Sequence, residues 1–270
     1  MTPDYRDTNL LLSTQGSGGI LCLTLNDPNR RNALSEAMLS ALGAAFDAAS
    51  DNPEVRTVIL AAAGPVFCAG HDLKEMTAGR QNADRGRAYF TKILNQCSSV
   101  MQKIVTCPKP VIAEIDGVAT AAGCQLVASC DLAVASETAQ FCTPGVHIGL
   151  FCSTPMVALS RNLANKHAME MLLTGDMVSA SRAAEMGLVN QVVPSADLRA
   201  ASMALAGKIA AKSSLTVATG KRAFYQQKEM DLAAAYNYAS KIMVGNMLAR
   251  DAEEGIAAFI EKRAPDWRDE

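Results

Sequence analysis

We begin from a run of small and apolar residues, Gly117-Val118-Ala119-Thr120-Ala121-Ala122-Gly123-Cys124-Gln125-Leu126-Val127-Ala128-Ser129. The apolar segment 110–115 before it predicts a buried strand, and from about Ala121 the pattern becomes helical with almost no polar side chain. A helix this short and apolar is expected in the protein interior. Its first N–H groups lack internal partners and favour negative charge. The run predicts either an oxyanion site or a tight turn in which small residues serve packing alone.

A second glycine-containing loop bears on the choice between an oxyanion site and a turn that serves packing alone. It reads Ala63-Gly64-Pro65-Val66-Phe67-Cys68-Ala69-Gly70-His71-Asp72-Leu73-Lys74-Glu75 and follows another predicted buried strand, 55–61. Glycines at such positions allow tight backbone turns. Two buried strands that each lead into a loop of small residues indicate two backbone segments able to approach the same ligand.

Together these two segments resemble the enoyl-CoA hydratase/isomerase family, also called the crotonase superfamily. The resemblance covers nearly the whole chain, because further motifs of the family occur in its order at 29–34, 129–133, 173–176, 184–189 and 258–265. The Gly-His-Asp loop, Ala-Ala-Gly-Cys-Gln and the segment 149–155 also resemble one subgroup of that family. The resemblance implies an α/β fold: a spiral of ββα units over 1–195, then a C-terminal helical trimerisation or lid region over 196–270.

The resemblance also implies an oxyanion hole. In this family, one backbone N–H from the glycine-containing loop and one from the start of the buried helix bind the thioester carbonyl oxygen of an acyl-CoA. The matching donors here are the amides of His71 and Ala122.

Several residues correspond to positions that contact coenzyme A in the family. Arg30 and Arg31 suit the phosphates, while Lys74 serves the phosphates or a surface ion pair. Asp72 and Glu75 are expected to fix the loop by capping. Cys68 and Ala69 are expected to contact the adenine through their backbone. The resemblance also implies that Leu73 contacts the substrate. Phe259 and Lys262 match positions that in the family often reach the coenzyme A of a neighbouring subunit. For Lys262, the alternative is an exposed ion pair.

The two glutamates that hydratases of the family use are missing. The matching positions hold Gln125 and Gly145, and neither can transfer a proton. Gln125 is expected to hold a water or a polar acyl group, or only to satisfy nearby backbone groups, and Gly145 is expected to leave an open space. His71 is the first candidate for a replacement group, followed by His147 and Cys152, and the alternative for each is a filler residue with no chemistry.

The resemblance therefore predicts a nominal enoyl-CoA hydratase of fatty acyl-CoA metabolism that stabilises a thioester enolate but hydrates simple enoyl-CoAs weakly. Two alternatives stay open. One is another enolate reaction, such as decarboxylation of a malonyl-type CoA using His71. The other is a non-catalytic acyl-CoA binder. Coenzyme A is expected only as part of the substrate, with no tightly bound cofactor, and the assembly as a homotrimer or a dimer of trimers.

Composition is consistent with these expectations. Hydrophobic residues make up 49% of the 270 residues, charged residues 19%, and the net charge is −2. No Lys/Arg block indicates nucleic acid or an anionic membrane, and no apolar run approaches a membrane span. Eight scattered cysteines without a C-x-x-C pair, and three scattered histidines, predict a reducing compartment and no metal site. Because 1–7 resembles neither a secretory signal nor a transit peptide, a cytoplasmic location is expected.

The remaining pattern predicts the elements around the site. Helices are expected at 35–50, with Ser35 as the N-cap, and at 86–105, with a polar segment at 77–87 before the second. Residues 139–149 are expected to be irregular, and the chain to be mostly helical from 195 onward. The far wall of the acyl pocket is expected to come from 77–87 and the C-terminal helices.

Overall fold

The computed structural model describes residues 10–270. Its larger sheet has the strand order β1-β2-β3-β4-β6-β9, in which β1 pairs antiparallel with β2 and the other neighbours are parallel. The strands are β1 (Leu11–Gln15), β2 (Ile20–Leu25), β3 (Thr57–Ala62), β4 (Val111–Ile115), β6 (Leu132–Ser136) and β9 (Gln191–Val193). The predicted features of 1–7 lie outside the described residues.

A smaller sheet, ordered β5-β7-β8, forms a second layer. Its strands are β5 (Val118–Thr120), β7 (Gln140–Cys142) and β8 (Val178–Ser179). Isolated parallel bridges join Cys68 to Ala119 and Leu34 to His71. Successive turns of the chain thus place a strand in the large sheet, a short extended segment in the second layer, and then a helix. This is the predicted spiral, and it brings loops from consecutive turns side by side.

Helices cover both faces of the large sheet. In the order of the chain they are α1 (Glu36–Asp51), α2 (Leu73–Gly79), α3 (Arg87–Thr106), α4 (Ala122–Ser129), α5 (Ser153–Asn162), α6 (Asn165–Thr174), α7 (Ala180–Met186), α8 (Leu198–Ala210), α9 (Ser214–Gln227), α10 (Leu232–Met247) and α11 (Arg250–Glu261).

Side chains alternate across β3 as the period of two requires. Val58 and Leu60 belong to the main apolar core, whereas Ile59 packs in a second cluster with residues of α8. Helix α1 begins where predicted, because the Ser35 hydroxyl accepts the amide of Met38 at 3.2 Å.

Every residue of α4 is buried, as its composition predicted. The helix is therefore fixed from all sides, and its N-terminus is held rigidly in the interior.

Helices α9 to α11 form the C-terminal part of the chain, and α9 packs against the core through Lys221 and Tyr225, which contact Asp131. Many large apolar side chains on and next to α10 and α11 are exposed, with Leu248, the C-cap of α10, at 78% and Phe259 of α11 at 85%. The division into a core of 1–195 and a helical region of 196–270 remains a prediction, although α8 packs on the sheet as part of the core.

The sequence patterns missed some short elements. Segment 139–149 contains β7, and part of the polar segment 77–87 belongs to α2. Three-residue strands are too short to show alternation, so only their pairing partners reveal them. Among residues 10–270, no helix has the length and apolar character needed to cross a membrane.

Candidate functional site

The glycine-containing loop and the start of α4 touch each other through Gly70. A Cβ placed on Gly70 would lie 3.1 Å from the amide nitrogen of Ala122 and 3.0 Å from the Cβ of Ala121. Gly70 also has φ +83°, a conformation that favours glycine. Only glycine therefore allows this approach without displacing the first amides of α4.

The turn into α4 is strained at Ala121. Its φ of 51° and ψ of −118° are rarely adopted by a residue with a side chain, and such a conformation costs about 1–3 kcal/mol. The surroundings hold it there, since the Ala121 amide donates to the Cys142 carbonyl of β7 at 2.9 Å. The strained turn therefore lies directly at the start of α4, in contact with Gly70 of the loop.

The amides of His71 and Ala122 have no hydrogen-bond partner among the residues that the structure describes. The neighbouring groups of the loop are engaged, because the Gly70 carbonyl accepts the Leu34 amide at 2.8 Å. Free backbone donors are the kind of group that can bind a carbonyl oxygen as it gains negative charge. We note that Ala121 gave no sequence signal beyond being small.

An ion-pair network fixes the loop. Arg30 binds the carboxylate of Asp72 and lies 3.3 Å from Glu75. Asp72 caps α2 as predicted by accepting the amides of Lys74 and Glu75 at 2.8 and 3.1 Å. Burial tends to raise the pKa of Asp72, but the Glu75 amide and Arg30 outweigh it and keep that pKa below its usual value. The Arg30 guanidinium is thus already paired with carboxylates of the loop, and a phosphate group that bound it would have to share it with Asp72 and Glu75.

Glu75 also reaches the neighbouring turn of the spiral. Its carboxylate accepts the amide of Glu36, the first residue of α1, at 3.0 Å. The predicted capping role of Glu75 therefore acts on α1 and ties α2 to it.

The side chain of His71 is a separate feature of the same residue. Both ring nitrogens are buried and lack a hydrogen-bond partner within residues 10–270. Burial lowers the pKa of the imidazole, with the nearby Leu34 carbonyl acting in the opposite direction. The ring is therefore neutral near pH 7.

The remaining loop residues differ in whether their backbone and side-chain groups are free to contact a ligand. Cys68 is buried, and its amide and carbonyl pair with Val118 and Thr120 of β5, so this backbone is already engaged. Ala69 is half-buried, and its carbonyl has no partner in the part of the chain described here. Leu73 is 57% exposed, and Lys74 is exposed without an ion pair among those residues.

Gln125 lies one turn after Ala122 on α4 and is 96% buried, with 4% of its surface exposed. Its Oε1 has no partner in the described chain. Gln125 lines a cavity of about 560 Å³ whose floor is α4 and whose walls come from α3, α5 and α9. The prediction that 77–87 forms a wall is wrong for this cavity, because residues of α3, and none of 77–87, line that side. The prediction that C-terminal helices contribute to the wall is met by α9.

Gly145 does not leave the expected open space. It is buried, and a Cβ there would lie 2.8 Å from the Sγ of Cys152 and 2.8 Å from the carbonyl oxygen of Leu150. The expectation of a vacancy is wrong because the Cys152 thiol and the 149–152 backbone occupy it. Burial raises the pKa of Cys152, so the thiol is protonated near pH 7.

Two other predicted regions lie apart from this cavity. His147 is exposed, and its Nε2 lies 2.8 Å from the Thr174 carbonyl of α6. Phe259 lies near the end of α11, which Lys262 terminates with φ 58°, and neither residue lines the cavity. Within one chain, the structure does not bring them to the two free amides.

Tyr225, on the cavity wall from α9, had no motif in the sequence. Its hydroxyl donates to Asp131 at 2.9 Å, and the Lys221 Nζ lies 2.6 Å from the same carboxylate. This cluster attaches α9 to Asp131, two residues beyond the end of α4, and so positions the wall. Among residues 10–270, no group of three or more His, Cys, Asp or Glu side chains is arranged to hold a metal ion.

Comparison with known proteins extends these observations. The family model described as "Enoyl-CoA hydratase/isomerase" matches residues 15–270. The enoyl-CoA hydratase domain-containing protein 3 of Rattus norvegicus is 48% identical over 257 residues, covering 95% of this chain and 84% of the rat protein. This is the subgroup that the sequence motifs resembled.

Solved structures agree. The crystal structure of an enoyl-CoA hydratase from Mycobacterium smegmatis superposes with a TM-score of 0.92 at 51% identity, covering 96% of this chain and 99% of that one. Human enoyl-CoA hydratase domain-containing protein 3 gives a TM-score of 0.90 at 46% identity and covers 96% and 100% of the two chains. The predicted crotonase fold, with its mixed sheets and C-terminal helices, is confirmed.

The expected cytoplasmic location is wrong by the same comparison. The rat relative is named mitochondrial, as are its mouse and human counterparts at 48% identity. These names point to mitochondria, which the composition of this sequence did not indicate.

Proposed function

The chain belongs to the enoyl-CoA hydratase/isomerase family, and we propose that it binds an acyl-CoA thioester whose carbonyl oxygen accepts the amides of His71 and Ala122. One observation carries the proposal: these two amides lack partners, and Gly70 holds the loop against the start of α4. When a thioester becomes enolate-like, negative charge gathers on its oxygen, and two fixed donors beside a helix N-terminus stabilise that charge.

The proton chemistry of hydration is weak in this proposal. A neutral amide stands at Gln125, and the protonated Cys152 thiol occupies the place beside Gly145. Each general acid or base typically contributes about 10²–10⁴-fold. We therefore expect crotonyl-CoA hydration at least about 100-fold below an ordinary enzymatic turnover of about 10 per second.

Coenzyme A enters as part of the substrate, without a tightly bound cofactor. The free Ala69 carbonyl and exposed Lys74 are the groups on the loop best able to contact it, since Arg30 and Cys68 are engaged. Phe259 and Lys262 would reach coenzyme A only from a neighbouring subunit of a trimer or a dimer of trimers.

The proposal is tested with acetoacetyl-CoA, whose enolate absorbs in the near ultraviolet. The wild-type protein should generate the enolate band on binding at neutral pH. Ala122→Pro should abolish it, because proline lacks the N–H yet is tolerated at the first position of a helix. Leu232→Pro, at the first position of α10, is the matched control and should keep the band. Absence of the band in the wild type would refute the proposal.

A second candidate is decarboxylation of a malonyl-type CoA, favoured by the buried, unpartnered imidazole of His71. The bond between the α-carbon and the carboxylate breaks, its electron pair forms the thioester enolate, carbon dioxide leaves, and the α-carbon then takes a proton from water. His71→Ala should then abolish release of carbon dioxide from malonyl-CoA. Enolate binding without turnover across a panel of thioesters would instead support a non-catalytic acyl-CoA binder.

A further inference from the structure

The turn that precedes α1 is hydrogen-bonded to the loop that carries His71. The Ala69 amide donates to the Arg31 carbonyl at 3.0 Å, and the Leu34 amide donates to the Gly70 carbonyl at 2.8 Å. The isolated parallel bridge between Leu34 and His71 lies at the same place. Two backbone hydrogen bonds therefore join this turn to the residues directly before His71.

These bonds fix the direction of the His71 amide. The Gly70 carbonyl and the His71 N–H belong to one peptide unit, which is planar and trans. In such a unit the C=O and N–H bonds point in opposite directions. Because the Leu34 amide holds the carbonyl, the N–H of His71 is directed away from Leu34. A group that fixes this turn against the loop therefore also fixes the proposed oxyanion donor.

Asn32 is the side chain that joins the turn to the start of the same loop. It is fully buried, and its Nδ2 donates to the carbonyl oxygens of Ala63 at 2.9 Å and Val66 at 2.8 Å. Its Oδ1 accepts the Asp27 amide at 2.8 Å. Both protons of Nδ2 and the oxygen are thus used, as a buried amide requires. One side chain holds the turn and the first part of the loop together.

The backbone of Asn32 indicates that these side-chain contacts matter. Its φ is 51°, in the left-handed region that disfavours residues with a side chain. Glycine would adopt this conformation without strain. A strained conformation persists only where the surroundings hold it, and here they do so through the three hydrogen bonds of the side-chain amide. The contacts of that amide therefore explain why asparagine stands here in place of glycine.

We infer that Asn32 is a positioning residue for the His71 amide. It holds the turn against the loop, so that the N–H is already directed at the thioester oxygen before the substrate binds. A donor that is fixed in advance stabilises developing negative charge better than one that must first be ordered. This inference rests on the proposed function, because the oxygen must be seated at His71 and Ala122. It assigns a role in the reaction to a side chain that does not touch the reacting atoms.

The pH at which bound acetoacetyl-CoA becomes an enolate tests the inference. The two amides favour the enolate and so lower the midpoint of the enolate band on the pH scale. Removing such a donor costs about 10²–10³-fold, and loosening one should cost about tenfold. In Asn32→Gly, which keeps the left-handed backbone but loses the amide, the midpoint should therefore rise by about one pH unit. Loss of folded protein would lower the height of the band without moving its midpoint.

Two variants are the matched controls, and both should keep the wild-type midpoint. Arg85→Gly also replaces an exposed side chain at positive φ, 58°, before α3. Asn190→Ala also removes a side-chain amide that binds backbone, since its Oδ1 accepts the Ala133 amide at 2.8 Å, but away from the loop. An unchanged midpoint in Asn32→Gly, or an equal shift in either control, would overturn the inference and leave the proposed function standing. Absence of the band in the wild type would overturn both.

A measurement on the wild type decides the question if Asn32→Gly is unstable. The chain has three histidines, so labelling with 15N-histidine gives three backbone amide signals in a nuclear magnetic resonance spectrum. Without substrate, the His71 amide should be as rigid as that of His167 on α6, with an order parameter of about 0.85. A value below about 0.6 would overturn the inference, because the donor would then not be fixed before the substrate binds.

Discussion

Gly70 and Ala122 belong to consecutive turns of the spiral, yet a methyl group on Gly70 would lie only 3.1 Å from the Ala122 amide nitrogen. The same methyl would lie 3.1 Å from the Thr120 carbonyl oxygen. Both contacts are with backbone, which cannot rotate away as a side chain can. The close approach of the loop to the start of α4 therefore depends on the absence of a side chain at Gly70.

Gly70→Ala should weaken enolate binding of acetoacetyl-CoA by about 100-fold, since it displaces the start of α4 and with it one donor. Gly18→Ala is the matched control: Gly18 also has positive φ, at 70°, but a Cβ there meets no atom within 4 Å. Both changes should cost about 1–2 kcal/mol through backbone strain, and Gly18→Ala should leave the enolate band unchanged. The band is followed at 25 °C in titrations. Unchanged binding in Gly70→Ala would show that this contact does not set the site.

The sequence led to the two donor amides because each lies in a motif that small residues make distinctive. It did not reveal what stands beside Gly145, since a glycine indicates a missing side chain and says nothing about the neighbour that occupies its place. Cys152 is seven residues away, and only the turn at 144–152 brings its sulfur there.

Part of the cavity wall could not be predicted from the sequence either. The polar segment 77–87 and the C-terminal helices were expected to form this wall. The C-terminal helix α9 does line the cavity, but α3 and α5, rather than 77–87, supply the other walls. Helix α9 is placed by the contacts of Lys221 and Tyr225 with Asp131, which join residues 90 and 94 positions apart in the chain. Such long-range pairs leave no periodic signal in a single sequence.

Gly145→Ala should destabilise the protein by about 1–3 kcal/mol, because the added methyl overlaps Cys152 Sγ and the Leu150 carbonyl oxygen. In a Cys152→Ala background the cost should fall by about 1 kcal/mol, a coupling expected for residues in contact. Urea unfolding of the single and double variants measures it. Additive effects would show that the thiol is not the obstructing group. If the coupling is found, restoring a glutamate at 145 for hydration also requires a smaller residue at 152.

Lys221→Met should lower the free energy of unfolding by about 2–3 kcal/mol, because it leaves Asp131 and the carbonyls of Ile104 and Lys109 without their shared donor. Lys221 is 7% exposed. The matched control is Lys103→Met: Lys103 pairs with Asp47 at the surface, where the two side chains are 34% and 60% exposed, and its loss should cost less than about 1 kcal/mol. Equal costs measured by urea unfolding would contradict a buried anchor for α9.

The exposed apolar side chains of α10 and α11 are expected to be covered by other copies of the chain, since large apolar patches mark interaction surfaces. Light scattering should then give a mass three or six times the 28.5 kDa of one chain. Leu248→Glu with Phe259→Glu should shift the mass toward that of a single chain, whereas Leu12→Glu on β1 should not. A wild-type protein of 28.5 kDa would refute the expected assembly.

His71 separates the role of an amide from that of a side chain. Burial lowers the pKa of the His71 imidazole from the ordinary 6.5. Between the folded pKa and about 6.5, the unfolded chain therefore binds more protons than the folded one. The free energy of unfolding should rise with pH across that window. His71→Ala should flatten this part of the profile in urea unfolding from pH 5 to 8. It should nevertheless keep the enolate band of acetoacetyl-CoA, because the backbone N–H at 71 remains. Loss of the band would mean that the imidazole, rather than the amide, stabilises the enolate. A stability profile as steep as that of the wild type would mean that another group causes the loss of stability at low pH.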